Sequence, residues 1–135
     1  MKESHRNRML LACSIGLLLV VSAHAADING AWVKGVGDWA KRSSICSRAL
    51  LKENGKIVTY ESGVFVIDNK EIRGQSVKCS VKARKDDGHF VRLLIECPAQ
   101  IAENMLELRV DGPDKLTRIF TGMPAMSTTY FRCPH

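Results

Sequence analysis

The arms Ser76–Lys85 and His89–Cys97, reading Ser76-Val77-Lys78-Cys79-Ser80-Val81-Lys82-Ala83-Arg84-Lys85 and His89-Phe90-Val91-Arg92-Leu93-Leu94-Ile95-Glu96-Cys97, decide the fold. Asp87-Gly88 between them is a strong hairpin signal. Val77, Cys79, Val81 and Ala83 share one face by the period of two, and Val91, Leu93, Ile95 and Cys97 share another. If both faces meet one core, odd residues oppose odd residues. A tight loop pairing residue 86 with 89 sets Cys79 against Glu96 and turns one arm inside out. A loop one residue longer pairs 86 with 90 and sets Cys79 opposite Cys97. Facing β-carbons of about 4.5–5.5 Å suit a disulfide. The expectation is therefore Cys79–Cys97, which leaves Cys46 with Cys133.

Outward from this hairpin the chain reads as short strands. Asp27–Val33, Ile57–Tyr60, Gly63–Ile67 and Glu71–Arg73 precede it, and Met105–Val110, Leu116–Thr121 and Thr128–Cys133 follow. Asp68-Asn69-Lys70 and Asp111-Gly112-Pro113-Asp114 are turns. One helix is expected over Ser44–Asn54, with Ile45, Cys46, Ala49 and Leu50 on one face and Asn54-Gly55 as the left-handed stop. About eight strands and one short helix predict a small antiparallel β-barrel or two-sheet sandwich.

The 135 residues suffice for one domain. Hydrophobic residues at 45% and charged residues at 25% exclude a disordered chain and a multi-pass membrane protein. Residues 1–25 read as a cleaved secretory signal: Arg6 and Arg8, an apolar run from Met9 to Val21, then Ala23-His24-Ala25. That run falls short of the roughly 20 residues of a membrane helix. Residues 26–135 form the domain, with no membrane span. Loss of Lys2, Arg6, Arg8 and Glu3 takes the net charge from +6 to +4, and loss of Cys13 leaves four cysteines. An even count in a small exported chain reads as two disulfides and a periplasmic or secreted address. The spacing lacks the close Cys pairs of zinc sites, so no metal or cofactor is expected.

Phe65-Val66-Ile67, Glu71-Ile72-Arg73-Gly74, Cys79-Ser80-Val81-Lys82-Ala83-Arg84, Gly122-Met123-Pro124 and Tyr130-Phe131-Arg132-Cys133 resemble a family of small exported alphaproteobacterial proteins, rhizobial ones especially. The likeness covers most of the mature chain. It implies a periplasmic address and no particular activity. Gly30-Ala31-Trp32 is similar to the G-x-W that opens lipocalin-like barrels, where the tryptophan closes one end.

No catalytic constellation is legible. His89 lies in a loop, His135 is terminal, and the thiols are expected to be oxidised. No phosphate-binding glycine loop or nucleic-acid signature appears. The outer hairpin face offers a basic stripe, Lys78, Lys82, Arg84 and Arg92, for an anionic glycan or an exported protein. Met123 and Met126 flank Pro124-Ala125 in a loop read as a cap over the core, with a partner wedge as the alternative. Trp32 and Trp39 are expected as core anchors, and little room is expected for a pocket. Three functions follow: a non-catalytic binding domain, an inhibitor of a protease or lysozyme through a loop, or a lipocalin-like carrier. A cavity would favour the carrier.

Overall fold

The computed structural model describes residues 24–35, 37–54, 56–59, 63–98 and 104–134. The signal-peptide reading of residues 1–23, the Gly55 half of the helix stop and the terminal His135 lie outside them. Among the described residues ten strands and one α-helix follow in order: β1 (Gly30–Lys34), α1 (Trp39–Ala49), β2 (Leu50–Glu53), β3 (Lys56–Thr59), β4 (Val64–Ile67), β5 (Glu71–Gly74), β6 (Lys78–Asp87), β7 (Phe90–Glu96), β8 (Asn104–Gly112), β9 (Lys115–Ile119) and β10 (Thr128–Arg132). Eight of them close an antiparallel barrel in the order β1-β10-β9-β8-β7-β6-β5-β4. Strands β2 and β3 form a separate hairpin. Closure leaves the barrel no unpaired edge.

The disulfides are Cys46–Cys133 and Cys79–Cys97. The second lies where the apolar phases of β6 and β7 coincide, with Val81 opposite Ile95 and Ser80 opposite Glu96. The turn differs from the expected longer loop. Asp87 pairs with Phe90 across Gly88-His89, and Gly88 takes the positive φ of 59° that such a two-residue turn needs. That register alone would set Cys79 out of phase. A β-bulge between Val81 and Ala83 inserts one residue and restores it. Beyond the bulge Ala83 is exposed, and Arg84, opposite Leu93, turns to the inner face.

The helix also departs from expectation. Asp38 caps it by accepting the Lys41 N–H at 2.8 Å, so it starts at Trp39. It ends at Ala49, because Leu50 begins β2 and pairs with Thr59. Asn54 is left-handed as read (φ 51°), but between β2 and β3 rather than as a helix stop.

Two cores result. Trp32, Ile67, Ile72, Val91, Leu93, Leu106, Leu108 and Leu116 fill the barrel. Outside it, Ala31, Val33, Val64 and Val66 present the other faces of β1 and β4 to Cys46 and Ala49 of α1. The Cys46–Cys133 bridge ties the helix there. Strands β1 and β4 are therefore apolar on both faces, as strands covered on both sides must be.

Candidate functional site

The two ends of the barrel are built differently. One end has short turns, at 68–70, 88–89 and 113–114, and is closed. Ile28 and Trp32 are fully buried there, and the Trp32 indole donates to the Ile28 carbonyl at 2.9 Å. The Arg132 guanidinium lies 4.3 Å over the Trp32 ring. It donates to the carbonyls of Asn29, Asp27 and Pro113. The inward-turned Arg84 donates to the Ala26 carbonyl at 2.6 Å and pairs with Asp86. Two arginines thus fasten residues 26–29 across this end. A part-buried guanidinium suits the task because it satisfies several carbonyls at once, and for Arg132 the indole face favours the charge.

The opposite end carries the longer connections 35–63, with α1 and β2–β3, 97–103 and 120–127, together with the three-residue turn 75–77. A cavity of about 550 Å³ opens there. The expectation that a chain of this size spares no such volume is corrected. A closed eight-strand barrel holds its walls apart through backbone hydrogen bonds, and such barrels can hold one small ligand. Phe65, Ile72, Ile95, Leu106, Leu108 and the Cys79–Cys97 bridge line the wall. Phe65 and Tyr130 meet edge to face at 4.8 Å. Gly74 lies opposite Phe65 in β4, and a β-carbon added there would meet the Val64 carbonyl at 3.7 Å and the Phe65 β-carbon at 4.0 Å. Glycine keeps the wall thin beside that ring.

Among the described residues lining the cavity, the one formal charge is Arg118, and no carboxylate is present. Arg118 stacks on Phe120 at 4.4 Å. Among the described residues, neither its guanidinium nor the Tyr130 hydroxyl has a hydrogen-bond partner. The neighbouring basic residues differ. Arg92 meets Glu107 at 2.7 Å, and that hydrogen bond and charge raise its pKa above the ordinary arginine value.

The basic stripe is largely neutralised. Lys78 meets Glu71 at 3.5 Å, Lys82 meets Glu96 at 3.1 Å, and Arg92 also reaches Asp87 at 3.5 Å. Arg84 leaves the stripe altogether, because the bulge rotates it inward. The methionine loop forms a single 3-10 turn, Pro124–Met126, with both Met123 and Met126 more than half exposed. The core-cap expectation fails, because the turn points its side chains to solvent. Trp39 is likewise 63% exposed and anchors no core, whereas Trp32 does. No group of three or more metal-ligating side chains occurs among the described residues.

Val77, Met105, Met123 and Met126 are the exposed large apolar residues of the strand ends and loops at the open end. Sequence reading missed Arg118, Tyr130, Phe65 and Arg132. The signal available was phase: Leu116, Arg118 and Phe120 alternate, so an arginine shares the phase of the buried Leu116. No protein family, curated protein or solved structure matches the chain.

Proposed function

We propose that this protein is a non-catalytic binding barrel of the carrier type, taking a small apolar molecule into its open end outside the cytosol. The observation that carries this reading is the cavity of about 550 Å³, within the range of ligand pockets, walled mainly by apolar side chains and closed at its far end. The two disulfides are consistent with an extracellular or periplasmic protein, and no helix among the described residues is long and apolar enough to cross a membrane. Removal of residues 1–25 is part of the proposal. In support, the segment from Ala26 onward packs across the closed end.

The test is titration with a neutral environment-sensitive fluorophore, N-phenyl-1-naphthylamine. Saturable one-site binding is expected. Ile95→Trp, which fills the cavity, should abolish it while circular dichroism and the melting curve hold. Absence of saturable binding, or equal binding by the filled variant, would overturn the proposal.

A second reading, inhibition of a hydrolase through the loop, rests on the exposure of Met123 and Met126 beside Pro124. A rigid apolar protrusion suits insertion into a partner's cleft. It requires inhibition that the double variant Met123→Ala, Met126→Ala loses. The stripe supports an anionic glycan or protein partner less, since Lys78, Lys82 and Arg92 each face a carboxylate.

A further inference from the structure

Resting on the carrier reading, we infer that the ligand is a monomeric amphiphile with one apolar chain and an anionic head, and that Arg118 receives the head. Three observations converge. The wall is mainly apolar, which favours a hydrocarbon chain. Its one formal charge among the described residues is Arg118, which holds a cavity-facing position opposite Leu108 and Thr128. Among the described residues, that cation has no carboxylate partner, whereas Arg73, Arg84, Arg92, Arg109 and Arg132 each have one.

Arg118 is exposed, so its head is solvated in the free protein and open to a ligand at the mouth of the cavity. The guanidinium lies 4.4 Å over the Phe120 ring, and none of its N–H groups has an acceptor among the described residues. A planar carboxylate matches a guanidinium edge with two parallel hydrogen bonds, which a hydroxyl or an ester cannot supply. The Tyr130 hydroxyl offers one further donor on the same lining. Lys34, directly across from Tyr130, is exposed and adds positive potential at this end. A carboxylate on the lining would repel such a head, and none occurs among the described residues.

The experiment compares decanoic acid with 1-decanol, each below its self-association limit, by displacement of N-phenyl-1-naphthylamine at neutral pH. The acid should bind about ten- to a hundredfold tighter than the alcohol. Arg118→Met should remove that preference and leave alcohol affinity within about twofold. Arg118→Lys should restore part of it, because charge survives without the bidentate edge. Equal binding of acid and alcohol by the unaltered protein overturns the inference and leaves the carrier reading standing. Binding of neither overturns both. Persistence of the preference in Arg118→Met assigns the head elsewhere and overturns the role of Arg118. Sedimentation with anionic phospholipid vesicles separates a monomeric ligand from a bilayer surface. The protein should stay in solution, and pelleting without binding of the monomeric acid would overturn the inference.

Discussion

Replacing Arg132 by Met tests whether the closed end is held by this one side chain. The side chain is 13% exposed, and its guanidinium lies 4.3 Å over the Trp32 ring and serves the carbonyls of Asn29, Asp27 and Pro113. Methionine keeps most of the volume and removes the donors. The exposed carbonyl contacts, at Asp27 and Pro113, recover water and contribute little. The part-buried bond to Asn29 is charge-assisted and contributes about 1.5–3 kcal/mol. The contact with a fully buried indole adds about 1–2 kcal/mol. The expected loss is about 3–4 kcal/mol, a drop of roughly 12–16 °C in melting temperature for a domain of this length. Arg132→Lys keeps the charge but reaches fewer carbonyls, so it should recover about 1 kcal/mol. Arg84→Met at the same end loses one carbonyl and a half-exposed pair with Asp86, for about 1 kcal/mol. Urea unfolding with the disulfides intact, followed by circular dichroism, measures all three. A loss below about 1 kcal/mol for Arg132→Met, or full recovery by lysine, refutes the reasoning.

Removing Cys46–Cys133, which spans 87 residues, should cost about 4.6 kcal/mol, and removing Cys79–Cys97, which spans 18, about 3.2 kcal/mol, by loop entropy; paired Cys→Ala variants and urea unfolding check the order. The double variant Met123→Ala, Met126→Ala should change stability by less than about 0.5 kcal/mol, because both side chains are exposed; a larger shift in the melting curve contradicts the solvent-facing loop. Burial alone would raise the Asp111 pKa, but hydrogen bonds from Thr117 and Arg109 outweigh it and hold the carboxyl below its ordinary value. The ionised form is therefore favoured by folding, and its contribution is complete above the unfolded carboxylate pKa and fades as pH falls through the lower folded one. Asp111→Asn should cost about 1–2 kcal/mol near pH 7, and the deficit should shrink below about pH 4 in unfolding measured across pH.

The strands and disulfides were legible because period-two alternation and cysteine phase are local properties. Cys79 and Cys97 share inward phase with Val81 and Ile95, and this alone was enough to pair them. The turn was misread because a bulge restores phase without any mark in composition; Lys82 and Ala83 look like any polar-apolar step. The helix start was misplaced because Asp38 acts through one side-chain hydrogen bond, which outweighs the weak apolar periodicity of Trp39–Ala49. The cavity was invisible because it depends on closure of β1 onto β4 and β10, a long-range event that places Phe65 beside Tyr130. Arg118 was passed over for the opposite reason. Read alone it is one more surface cation, and only the inward phase of Leu116 makes it unusual.

The bulge in β6 also makes the two sides of the hairpin unequal in their tolerance of length change. One residue between Val81 and Ala83 is surplus to the ladder. Deleting Lys82 erases the surplus: Ala83 still meets Leu94, Val81 still meets Ile95, and the two cysteines still face each other. What is lost is the local bend that the extra residue supplies. Deleting Leu94 from β7 does the reverse, leaving β6 with two residues too many and no turn to absorb them. Natural length variation in this hairpin should therefore fall on β6, near Lys82, and spare the facing strand.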